Sequence, residues 1–276
     1  GTCGNSLSFV KFASIICSDF DVHLLDLPGF GRSNFDNNID INLLENEDII
    51  NMYCEVIKTY ISSNKLRNVI VLGHSFGGFI ASKFVIRHPD MIKKLILVSS
   101  AGIYPTLGDH GAYWALLFKL SLPQSILRIL NVFDTMITNM INNSFLKYYY
   151  KLLSSPHGFA DKFVGRFIKL ESIFTLTSYW NHPTLYELLS SPIPLGFIHG
   201  EHDNIMPCHQ SIMFSKLSSC PIHIVSNAYH APHYENPIEF SIAFRNVVSR
   251  VSIPINKNTS GKISLSYFCI QLKRLI

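Results

Sequence analysis

Apolar residues fall along this chain in two kinds of run that take turns. One kind is short and nearly unbroken: Val22 to Leu25 around His23, Val69 to Leu72, Leu95 to Val98, Leu195 to Ile198 and Ile222 to Val225 around His223. The other recurs at steps of three and four residues: Ile49, Ile50, Tyr53, Ile57, Tyr60 and Ile61, then Phe79, Ile80, Phe84 and Val85. Three- and four-residue steps predict helices with one buried face, here over about 45–61, 76–88 and 237–248. Continuous apolar runs predict strands buried on both faces, which is the habit of parallel sheets flanked by helices. Strand, helix, strand, helix, strand in that order therefore predicts an α/β fold with a mostly parallel sheet and helices on both faces.

The strand signal stops between about Pro105 and Trp180, where Phe, Tyr, Leu and Ile recur at helical spacing. An all-helical insert there predicts a cap, residues 105–180, placed between two parts of one core, 1–104 and 181–251. The aromatic positions of the cap read either as the inner face of a helical layer or as a lining for an apolar acyl chain. Its seven basic residues against four acidic ones suit a peripheral approach to an anionic lipid surface. Residues 252–276 receive no element.

Composition narrows the classes. The 276 residues suffice for one large domain with an insertion, and 47% apolar against 15% charged residues predicts a folded chain. A net charge of +4, spread along the sequence, excludes a nucleic-acid footprint. Six cysteines without a C-x-x-C pair favour a reducing compartment, hence the cytoplasm. No run of 18 uncharged apolar residues predicts a spanning helix. The sequons at Asn142 and Asn258 are short enough to arise by chance. The chain opens at Gly1 with no initiator methionine, basic segment or apolar segment, and reads as an internal fragment.

Gly73-His74-Ser75-Phe76-Gly77 carries the chemistry. It fits G-x-S-x-G and sits where that pattern has meaning, after a buried strand and before a helix. So tight a turn needs small residues two before and two after its apex, which Gly73 and Gly77 provide, and it lifts the Ser75 hydroxyl to the N-terminus of a helix. His74 is expected to pack beneath the turn. A serine hydroxyl becomes nucleophilic at neutral pH only with a base in reach and an acid to orient that base.

Loops after two later strands offer both. Asp203 lies in Gly200-Glu201-His202-Asp203, and its spacing to Pro207 favours it over Glu201. His230 lies in Tyr229-His230-Ala231-Pro232-His233-Tyr234-Glu235, and its position relative to Glu235 and Pro237 selects it over His202, His209 and His233. His199, His202 and Asp203 could be drawn as a metal cluster, but alternation along a strand sets His199 on another face, so no metal is expected. Asp26 with Arg32 nearby reads as a pair that fixes its loop.

The order Ser75, Asp203, His230, with the matches Asp26-x-Pro28-Gly29-x-Gly31-x-Ser33, Gly73-x-Ser75-x-Gly77-Gly78, Gly200-x-x-Asp203-x-x-x-Pro207 and His230-x-x-x-x-Glu235-x-Pro237, resembles the α/β-hydrolase family from Gly1 to about Val248. In the family the histidine usually follows glycine; here it follows Tyr229. The resemblance implies that Thr2 and Phe76 donate the oxyanion N–H groups, and that a central strand precedes Gly1. It implies a serine esterase or thioesterase acting on a small-molecule ester or a lipid, with no cofactor. Two alternatives remain: carbon–carbon bond hydrolysis or acyl transfer by the same three residues, and a non-catalytic lipid-binding or coactivator relative. Serine at the apex argues against chemistry that needs a carboxylate nucleophile.

Overall fold

A computed structural model describes residues 5–31, 33, 35, 39–40, 43–103, 166–172, 177–180, 184–251, 264–268 and 270–271. A helical turn at Ser6–Phe9 leads into α1 (Val10–Ile16) and β1 (Asp21–Leu25). Then α2 (Asn46–Ser63), β2 (Val69–His74), α3 (Phe76–Arg87) and β3 (Ile92–Val98) alternate as the apolar pattern predicts. A reciprocal capping box between Glu45 and Asp48 starts α2, satisfying amides that the first helical turn leaves open.

Within the insert lie β4 (Ile168–Ser172) and β5 (Thr177–Trp180); beyond it come α4 (Leu185–Leu189), β6 (Leu195–Gly200), α5 (Cys208–Ser218), β7 (Ile222–Val225), α6 (Pro232–Glu235) and α7 (Pro237–Arg250). Two short strands, β8 (Ser264–Phe268) and β9 (Ile270–Gln271), complete the described elements.

Seven strands form one sheet in the order β7-β6-β3-β2-β8-β1-β9. Every pairing is parallel except β1 with β9. Along β2, Val69 and Val71 join the core under α2 and α3, with Ile49, Tyr53, Ile57, Phe79 and Phe84. Ile70 and Leu72 join the opposite core with Phe12, Phe240, Phe244 and Val247. Alternate side chains of one strand thus feed two cores, which is why the run carries no polar position.

The structure departs from the sequence pattern in two places. Residues 168–180 include an antiparallel hairpin, β4 with β5, where the pattern predicts helix. Ile168, Thr177, Tyr179 and Trp180 are β-formers, and local pairing prevails over helical spacing. The other expected helices of 105–180 lie outside the described residues. Secondly, β8 lies between β1 and β2, hydrogen-bonded to both. Residues 264–268 belong to the tail that receives no element from the sequence pattern.

The insert leaves and re-enters the core at one point. The carbonyl of Gly102 accepts both the backbone N–H of Thr184, at 2.8 Å, and its hydroxyl, at 3.1 Å.

Candidate active site

Registers Gly73 to Leu97, Val98 to Ile198 and Gly200 to Val225 align the carboxyl ends of β2, β3, β6 and β7 along one edge of the sheet. Open parallel sheets gather ligand-handling loops at that edge. Ser75 sits there between β2 and α3 with φ 53° and ψ −125°, a conformation that costs a non-glycine residue on the order of 1–3 kcal/mol. A Cβ on Gly73 would stand 2.6 Å from the Gly77 carbonyl oxygen and the Gly78 Cα, and one on Gly78 would stand 2.2 Å from Ser100 Oγ. Strand and helix therefore pass too closely for any side chain, and Gly78 shares the constraint expected of Gly77.

The structure brings Ser75, Asp203 and His230 together. His230 Nε2 lies 3.0 Å from Ser75 Oγ, and its Nδ1 lies 2.9 Å from Asp203 Oδ2. Asp203 follows β6 with its side chain wholly buried, and its Oδ1 accepts the N–H groups of Ile205 and Met206 at 2.9 Å each. Burial alone would raise its carboxyl. The adjacent His230 and His199 imidazoles outweigh burial and hold it below the usual carboxylate range. The hydrogen bond to Asp203 fixes the His230 tautomer with its proton on Nδ1, leaving Nε2 to accept from the serine hydroxyl.

His74 does pack beneath the turn, and it does more. Its Nε2–H donates to the His230 carbonyl at 2.7 Å, so the residue before the serine holds the loop of the histidine. Burial first, then neighbouring His233 and His230, keeps its imidazole well below the ordinary value. His233 is also buried and depressed by burial; it stacks on Phe9 at 3.6 Å and contacts Ser8 Oγ at 3.2 Å. The Glu235 carboxylate accepts the N–H groups of Tyr229 and Ala231, one on each side of His230. The Tyr229 carbonyl in turn presses on Gly200, where a Cβ would stand 1.9 Å away.

Phe76 occupies the first position of α3, in the turn whose amides have no carbonyl partner within the helix. Thr2 lies outside the described residues. Asp26 is buried and accepts the Ser6 N–H at 2.9 Å, tying the start of the described chain to the Pro28–Gly31 loop. Arg32, its expected partner, lies outside the described residues.

His199 corrects the strand-alternation reading. Its Nε2 reaches Asp203 Oδ2 at 3.2 Å because the chain turns back sharply after Gly200. His202 is half exposed and lies 3.6 Å from Glu201. His199, His233 and the clamp formed by Glu235 escape a reading of spacing alone, since each acts through a contact that only the folded chain makes.

A parallel sheet flanked by helices, with a serine at a strand-to-helix turn and an imidazole and carboxylate on later loops, defines a protein of hydrolase architecture. The chain belongs to the alpha/beta hydrolase fold family, whose family model matches residues 1–237. It is 26% identical over 85% of its length to a 1-acylglycerol-3-phosphate O-acyltransferase of Arabidopsis thaliana, and spans 62% of that relative. A pimeloyl-[acyl-carrier protein] methyl ester esterase of Wigglesworthia glossinidia brevipalpis is also 26% identical, over 86% of both chains. Among solved structures, the 2-hydroxy-6-oxo-6-phenylhexa-2,4-dienoate hydrolase from Rhodococcus sp. strain RHA1 shares the fold with a TM-score of 0.63 at 15% identity, covering 90% of this chain and 87% of its own.

Proposed function

We propose that the protein is a serine hydrolase of carboxylic esters or thioesters, with apolar or lipid-derived acyl groups as its substrate class. His230 Nε2 takes the proton of Ser75 Oγ as the oxygen attacks the acyl carbon, and Asp203 stabilises the imidazolium that forms. The tetrahedral oxyanion accepts the Phe76 N–H at the head of α3, where the dipole favours negative charge, and, as the family resemblance implies, the Thr2 N–H. His230 returns the proton to the leaving alcohol or thiol, and a water molecule, deprotonated in the same way, releases the acid.

The observation that carries this reading is the continuous contact from Ser75 Oγ through His230 to the buried Asp203. The relatives named for ester cleavage and acyl transfer support the substrate class.

A fluorophosphonate probe tests it. The full chain should be labelled and Ser75→Ala should not; a folded protein that resists labelling overturns the reading. The plant relative's name favours a second outcome of the same acyl-enzyme, transfer to an alcohol. Offering 1-acylglycerol 3-phosphate beside an acyl donor separates the two: free acid marks hydrolysis, a diacyl product marks transfer.

A further inference from the structure

Asp203 Oδ1 is held by two backbone amides; His230 Nδ1 lies 2.9 Å from Oδ2 and 3.1 Å from Oδ1, and Oδ2 has a second imidazole beside it. His199 Nε2 faces two groups that can only accept, Asp203 Oδ2 at 3.2 Å and the Met206 carbonyl, so this nitrogen carries a proton. Its Nδ1 lies 3.1 Å from Ser211 Oγ on α5, a hydroxyl able to donate, so the ring's one proton sits on Nε2 and is shared between the Met206 carbonyl and Asp203 Oδ2. His199 and Ser211 are both buried, which leaves the ring no room to turn to water.

We infer that His199 is a positioning residue: its Nε2–H fixes the plane of the Asp203 carboxylate so that Oδ2 faces the imidazole that activates Ser75. The inference rests on the serine-hydrolase reading for its consequence, though not for its geometry. A carboxylate anchored at Oδ1 alone can swing about its Cβ–Cγ bond, and His230 is then free to leave the line to Ser75. With Oδ2 held as well, the carboxylate orients His230 before substrate arrives, and a small misplacement of such a group is costly.

Two substitutions of like polarity separate positioning from packing. In His199→Gln the side-chain amide can stand where Nε2 stood and still donate to Asp203. In His199→Asn it stands near Nδ1, keeps Ser211 and loses Asp203. The first readout is the downfield proton resonance of the His230 Nδ1–H bonded to the carboxylate, recorded on the full chain, which requires no activity. It should stay in place in His199→Gln and shift in His199→Asn as the carboxylate loses its second donor.

The second readout is the rate of fluorophosphonate labelling. It should fall roughly tenfold to a hundredfold in His199→Asn, the worth of one hydrogen bond to a charged group, and recover most of that in His199→Gln. An unmoved resonance in a folded His199→Asn overturns the inference. Equal resonance shifts in both variants also overturn it, since packing alone would then account for them. Failure of the wild type to label defeats the serine-hydrolase reading and leaves the resonance to judge the contact.

Discussion

Two histidines that never meet the serine set how the protein responds to acid. His74 and His233 are buried within one group of aromatic rings, 4.6 Å apart between centroids, and burial keeps both imidazoles neutral below the pH at which free histidine gains its proton. The unfolded chain therefore binds more protons than the folded one once pH falls below about 6.5, and stability drops with it. Each ring that stays neutral contributes about 1.4 kcal/mol of loss per pH unit below that point. Denaturant titrations of wild type and His233→Phe at pH 7.5 and 5.5 check this. Phenylalanine retains the stack on Phe9, and its stability should fall less steeply between the two values by about one ring's share. Asp203 acts in a lower window: its depressed carboxyl stabilises the fold above about pH 4 and loses that contribution as pH falls further.

At the level of elements, the site depends on how firmly the loops after β6 and β7 are held. Glu235 begins no strand and touches no candidate catalytic atom, yet its carboxylate bridges the amides on both sides of His230. In Glu235→Ala those exposed amides turn to water at small cost, so the melting temperature should change little, while fluorophosphonate labelling slows about tenfold because His230 loses its fixed approach. Equal rates for the two proteins would place the order of the loop elsewhere. The sequence already shows Ser75, Asp203 and His230 because each follows a strand whose apolar run is unmistakable, and because the glycines around Ser75 answer a steric demand local to that turn. It does not show His199, since alternation along β6 says nothing of a chain that doubles back after Gly200. Nor does it show β8, because pairing with β1 and β2 comes from segments remote in sequence. Glu235 is visible as part of a spacing; what it holds is visible only in the fold.

For the whole molecule, the parallel alternation is legible from the apolar runs, and the insert is legible as an interruption but not as a hairpin. Spacing of Phe, Leu and Tyr predicts helix throughout, a periodicity that cannot weigh the pairing of Ile168–Ser172 with Thr177–Trp180. The ion pair of the buried Lys83 with the exposed Glu187, at 2.6 Å, ties α3 to α4, so the helix behind Ser75 is braced by the first element after the insert. The double hydrogen bond from Thr184 to the Gly102 carbonyl makes the two borders of the insert neighbours in space. What lies between them is a detour that touches the core again at Phe167, buried against Phe76 and Phe79. A chain in which 104–183 is exchanged for a short Gly-Ser bridge should keep a cooperative thermal transition, and its Ser75 should still label while selectivity among acyl chain lengths is lost. Non-cooperative melting of that chain would show the detour to be a structural necessity. If the exchange succeeds, the junction is a socket, and caps from other members of the family can be grafted into it to choose a substrate without rebuilding the chemistry underneath.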